Sequence, residues 1–357
     1  MNSRRFFWVT TIVGALTLLS ATGWAQLDEV TLAKRQKTDG NIWSKFKGSY
    51  TSLAFNLGTG SFITNKSDNP LFNAELTLYP RFSLGDYQSV RAYWVLECEF
   101  TEPEGREGRK CDPSDIRLSY HHTNIWQDPW LKGRVMGYAG IWLPTSYASI
   151  NINKVILNPR ASIGYLVRFF NNKFELAYNF TVQKYFQQSK SRQCPFETDA
   201  NGVARDGAGN ILCAAGGYDA PGQDSGSGSS RGISDGHAGS GGTLNDNWLL
   251  INNLHVGYYL SKKWSFSADI LIYNYFRYSV GSAFNDPNLP DTGRADYTWG
   301  IIEAAYQATG NLSLAMGISS LQSALTADNK SVRFPFYDFI SPANNLTKWY
   351  LSATYIY

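Results

Sequence analysis

The stretch that decides the fold is Trp349-Tyr-Leu-Ser-Ala-Thr-Tyr-Ile-Tyr357. Every second residue, Trp349, Leu351, Ala353, Tyr355 and Tyr357, is apolar. The alternate row, Tyr350, Ser352, Thr354 and Ile356, is mostly polar or small. A period of two belongs to an extended strand, so this is a β-strand with one greasy and one wetter face.

The same grammar recurs upstream. Residues 49–57 set Leu53, Phe55 and Leu57 on one face, and residues 72–84 set Phe72, Ala74, Leu76 and Leu78 against Asn73, Glu75, Thr77, Tyr79 and Arg81. Comparable segments lie at 88–100, 114–126, 131–142, 160–170, 174–187, 247–260, 264–278, 296–308 and 312–320. Two are ambiguous: 247–260 carries apolar residues on both faces, and 296–308 places Glu303 among Trp299, Ile301 and Ala305. The count is twelve, with ten or fourteen as alternatives. Most are near the roughly 10 residues that a tilted transmembrane strand needs.

Connection lengths set the topology. Gly85-Asp86, Gln127-Asp128-Pro129, Asn171-Asn172-Lys173, Ser261-Lys262-Lys263 and Thr309-Gly310-Asn311 are tight turns of hairpin chemistry. The intervening connections, 58–71, 101–113, 143–159, 188–246, 281–295 and 322–346, are long. Short turns at one end and long loops at the other predict an all-β, antiparallel up-and-down barrel rather than a sandwich. The 188–246 loop is rich in Gly and Ser and cannot bury a core, so it is expected to be flexible. Its Asp199-Ala-Asn201-Gly202 lacks the remaining oxygen ligands of a calcium loop.

Arg4 and Arg5 precede an apolar run from Phe6 to Leu19, followed by Gly23-Trp24-Ala25 with small residues at cleavage positions. Residues 1–25 therefore read as an export signal, and 26–47 as a polar lead-in to a barrel over 48–357. Removing the signal takes the formal charge from +3 to +1. Phosphate binding needs a basic excess, so nucleic acid is not expected as a partner. No later apolar run reaches the roughly 20 residues of a membrane helix. Aromatic residues nonetheless make up 15% of the chain, as interfacial girdles would require. Four cysteines in an exported chain imply disulfides; each of the local pairs Cys98–Cys111 and Cys194–Cys213 flanks one long loop. No Cys or His spacing points to a metal or a cofactor.

The closing stretch, apolar at alternate positions and ending on the aromatic Tyr357, resembles the final strand of Gram-negative outer-membrane β-barrels. That resemblance implies residence in the bacterial outer membrane, contact with lipid and lipopolysaccharide, and recognition of Tyr357 by the barrel-assembly machinery. Gly140-Ile-Trp-Leu-Pro-Thr-Ser146 resembles a segment of putative transporters linked to phenol degradation (the MetA-pathway family), with Ser146 in place of Gly. The arginine-lined lumen resembles, by architecture, channels for acidic oligosaccharides. Ser119-Tyr-His-His-Thr-Asn124 is only superficially similar to the His-x-Ser-Asn pattern of outer-membrane lipid hydrolases, because Thr123 follows His122 and no Ser stands where the pattern needs one. No enzymatic activity is expected.

Alternation assigns the lumen. Arg81, Arg91, Lys132, Arg134 and Arg168 are expected to line its periplasmic half, facing Glu175, Asp269 and Glu303. Opposed basic and acidic walls resemble the constriction of general porins, where the field orders water and selects polar solutes. The functional expectation is a channel for passive diffusion of small polar or anionic solutes. The alternative is a structural or adhesive barrel with a plugged lumen, acting through its loops.

Overall fold

The computed structural model describes residues 42–59, 71–101, 110–189, 203–205, 211–214, 245–278, 294–325, 331–337 and 346–357. The export signal, most of the lead-in and much of the long connections lie outside these residues. Twelve strands form the wall. They are β1 (Tyr50–Gly58), β2 (Phe72–Tyr79, continued past Pro80 by Arg81–Ser83), β3 (Gln88–Glu99) and β4 (Ile116–Gln127). Next come β5 (Arg134–Leu143), β6 (Val155–Phe169), β7 (Phe174–Lys184) and β8 (Asp246–Tyr259). The last four are β9 (Trp264–Arg277), β10 (Arg294–Gln307), β11 (Leu312–Ser323) and β12 (Leu346–Ile356).

Each strand pairs antiparallel with its neighbours in sequence, and β12 returns to β1 with Tyr50 opposite Ile356 and Gly58 opposite Lys348. The sheet is closed and leaves no edge along the wall. The expected count and topology stand. Several strand ends shift by a few residues. Strand β6 begins at Val155, running through Pro159, which pairs with Ile141. Strand β5 begins at Arg134, not Leu131. The 188–246 loop contains a small hairpin, Val203–Arg205 with Ile211–Ala214.

Alternation places polar side chains inside. On β2, Asn73, Glu75, Thr77, Tyr79 and Arg81 are buried, while Phe72 and Leu78 are exposed. Around the wall, Leu53, Phe55, Leu118, Ile163, Leu254 and Met316 face outward and are exposed. An apolar surface that runs around the whole barrel is far larger than a water-soluble monomer leaves bare. It is bordered at the short-turn end by Tyr87, Trp126, Tyr258, Trp264 and Tyr355, and toward the long loops by Phe72, Phe100, Phe186 and Trp248. Rings at both rims of an apolar band have the amphipathic character of a membrane–water interface.

The short turns are built as their residues dictate. Asn171 and Asn172 adopt φ of 57° and 66° between β6 and β7, where asparagine tolerates the left-handed region best after glycine. Between β4 and β5, Asp128 accepts the Trp130 N–H at 2.8 Å and the Tyr165 hydroxyl at 2.7 Å. These bonds hold its carboxyl below the ordinary carboxylate range, the backbone N–H being the main cause. Gly133 leaves room for the Tyr165 bond, because a Cβ there would lie 2.1 Å from the Tyr165 hydroxyl oxygen and displace it.

Long-loop segments are tied to the wall as well. Asp115 accepts hydrogen bonds from the N–H groups of Thr145 and Ser146 and from the Ser149 hydroxyl. The Gly140–Ser146 segment thus ends in a carboxylate-pinned corner. Residues 331–337 lie over the outer face of β10, where a Cβ on Gly300 would meet the Pro335 oxygen at 2.2 Å. Outward-facing Thr298, Ser320, Gln322 and Thr347 are buried around this strap.

Candidate solute site in the lumen

The lumen is divided by the strands that feed it. From β2 to β6 come aromatic rings alternating with guanidiniums. Arg91 lies over Tyr79 at 5.9 Å and donates to its hydroxyl at 3.0 Å. Arg117 stands 5.5 Å from the rings of both Tyr93 and Tyr138. Arg160 stands 5.7 Å from Tyr138 and 5.8 Å from Trp142. These residues fall on one face because each occupies the inward parity of its strand, and cross-strand neighbours then stack.

From β7 to β10 come acids and a histidine, whereas Glu75, Glu97 and Glu99 of β2 and β3 are buried nearer the long loops. His255 Nδ1 is 2.9 Å from Asp269 Oδ1, and its Nε2 is 3.9 Å from Glu175 Oε1. Glu303 Oε2 accepts the Tyr350 hydroxyl at 2.7 Å. Toward the long loops, Leu249, Ile251, Leu271, Tyr273, Trp299, Ile301, Leu321 and Tyr350 form a buried cluster that fills this side of the lumen. Between the two walls lies a cavity of about 40 Å³, bounded by Arg91, Arg117 and Arg160 on one side and Glu175, His255 and Asp269 on the other. Such a volume admits a few water-sized groups.

The sequence-assigned lumen residues divide into three groups. Arg81 and Arg91 are buried inside and directly paired in register, and Asp269 and Glu303 are buried on the acidic side. Arg134 is half-buried at the start of β5. Arg168 points inward, but it is the register partner of Glu175 and holds it at 2.5 Å. Those two charges are not opposed across the lumen; they neutralise each other on adjacent strands. Lys132 is exposed, with φ 56°, in the turn before β5. The turn takes up the residues that alternation had assigned to the strand, so Lys132 does not line the wall.

Arg117, His121, Arg160 and His255 are cavity residues that the basic and acidic groupings left out. Alternation on 114–126 and 160–170 places the first three inward. His255 sits on β8, whose apolar residues on both faces hide the parity.

The cysteine expectation holds for one pair. Cys98 and Cys111 are disulfide-bonded and sit opposite each other in a short ladder between β3 and Lys110–Pro113. The bridge therefore belongs to the hydrogen-bonded sheet and not to a free loop. Cys194 lies outside the described residues, and with it the second pair. Ser119 Oγ and His121 Nε2 are 2.9 Å apart, but both are buried on the lumen side of β4 beneath Tyr138. Among the described residues no group of His, Cys, Asp and Glu could hold a metal ion.

No protein-family model matches the chain and no curated protein matches it. Among solved structures, the chain is similar to an outer membrane channel from Pseudomonas putida F1, at 10% identity over 87% of this chain and 95% of that one, TM-score 0.47. It is similar to the KdgM porin at 5% identity over 86% of this chain and 99% of that one, TM-score 0.40. It is also similar to outer membrane phospholipase A from Escherichia coli, at 10% identity over 91% and 96% of the two chains, TM-score 0.36. Identities this low leave the function to be read from the lumen itself.

Proposed function

We propose that the chain is an outer-membrane channel for passive diffusion of small polar or anionic solutes. The observation that carries this is the cavity between charged walls inside a barrel whose exterior is a continuous apolar band. Inward guanidiniums offer in-plane donors to anions, and the low-dielectric wall leaves their field weakly screened. The band and its aromatic rims are the surface that lipid and lipopolysaccharide would cover, and Tyr357 is the end an assembly machinery would read. Export follows from the signal expected at residues 1–25.

A second reading, a barrel with an inert lumen that acts through its loops, is favoured by the apolar cluster around Trp299 and Tyr273. Planar-bilayer recording separates the two. Refolded protein is expected to give discrete single-channel steps. Silent bilayers, with protein shown to be inserted, would sink the channel and favour the plugged barrel.

A further inference from the structure

Arg117 and Arg160 are 2% and 5% exposed, and ring faces cover their planes. A guanidinium donates hydrogen bonds in its plane, so stacking leaves the donor edges open while fixing their direction. The Nε of each has no hydrogen-bond partner among the described residues, and both side chains line the cavity. Ring contacts offset only part of what burying a cation costs. A carboxylate lying in the guanidinium plane, bound bidentate, supplies the rest.

The other wall of the same cavity has the opposite chemistry. Asp269 and Glu175 flank His255, whose buried Nε2 has no hydrogen-bond partner among the described residues. Arg168 already neutralises Glu175, so Asp269 carries the charge of this wall; with its carboxylate on Nδ1, the imidazole leaves Nε2 to an N–H donor, and the wall favours a cation over a second anionic group. The cavity is small enough that one solute would touch both walls.

Resting on the channel reading above, we infer that the cavity is a binding site for small zwitterions of the amino-acid class. The solute carboxylate meets the edges of Arg117 and Arg160, and its ammonium faces Asp269 and the His255 Nε2. Simple carboxylates satisfy only half the site, and dicarboxylates place a charge against the acidic wall.

Isothermal titration of detergent-refolded protein tests this with glycine, β-alanine and γ-aminobutyrate, against acetate and ethylammonium as half-solutes. The best zwitterion should bind at least tenfold tighter than either half-solute. R117Q and R160Q should abolish that advantage, while D269N should lower zwitterion affinity to the acetate level and leave acetate unchanged. Acetate equal to the best zwitterion, or no binding by any probe, overturns the site. If the arginine variants fail to give the folded gel mobility, D269N and the half-solute comparison on the unaltered chain decide. Zwitterion binding without bilayer conductance would sink the channel alone and leave the site standing.

Discussion

At the scale of single residues, the lumen is governed by which group a buried carboxylate finds first. Glu303 finds the Tyr350 hydroxyl, and Gly317 makes room for it, because a Cβ there would lie 2.5 Å from the Tyr350 ring. Tyr350→Phe removes the donor and leaves a buried carboxylate oxygen short of a partner, a loss of about 1–3 kcal/mol. Urea unfolding in detergent should register that loss, and Glu303→Gln placed on the Tyr350→Phe background should recover part of it. No recovery would mean that Tyr350 acts through packing alone. In the short turn between β4 and β5, Asp128 titrates below its ordinary value because of the Trp130 N–H and the Tyr165 hydroxyl. A depressed carboxyl contributes stability above its unfolded pKa of about 3.9 and loses it as pH falls through the lower folded value. Protection of the Trp130 amide from hydrogen exchange, relative to its intrinsic rate at each pH, should therefore hold at neutral pH and fall only in strong acid. Asp128→Asn should flatten that dependence.

At the scale of elements, the bridge between Cys98 and Cys111 closes a hairpin that extends β3 above its pairing with β4. Closing a loop of this length is worth roughly 3 kcal/mol in the chain-entropy account. That stabilisation is local, since β3 is held independently by β2 and β4. Cys98→Ser with Cys111→Ser should raise proteolysis within residues 101–113 while the heat-dependent gel shift of the barrel persists. Loss of that shift would mean the hairpin nucleates the wall. Strand identity and inward parity were legible in the sequence because a period of two needs no partner to be seen. Register was not. Arg168 and Glu175 lie on adjacent segments with the correct parity, yet whether they oppose or pair depends on a turn in which Phe170, Asn171 and Asn172 take positive φ. Lys132 was misplaced for the same reason: alternation continues past the point where the backbone has turned. The site was legible as a basic face and an acidic face, whereas the stacking that aims Arg117 and Arg160 depends on rings from three other positions.

At the scale of the whole molecule, charge is opposed across the cavity, with Arg91, Arg117 and Arg160 from β3, β4 and β6 on one side and Asp269 on the other, while Glu75, Glu97 and Glu99 are buried nearer the long loops. Replacing Arg91, Arg117 and Arg160 together by Gln should move the reversal potential in a salt gradient toward cation selectivity. Asp269→Asn with Glu303→Gln should move it the opposite way. An unchanged potential in both folded variants would show that current bypasses this cavity. The seam between β1 and β12 has a consequence of another kind. It joins residues such as Thr51 and Tyr357, 306 positions apart along the chain. Loop closure over such a distance comes late, so the wall has the non-local contact pattern of a slow folder. Until β12 docks, β1 presents a row of unsatisfied amides, and no earlier strand can cover it without breaking the order of the sheet. A nascent barrel is therefore at its most vulnerable to strand exchange with a second chain at that one edge. The residues that most reduce this hazard are those that set how fast the seam zips, beginning where Gly48 and Ser49 exchange backbone hydrogen bonds with Tyr357.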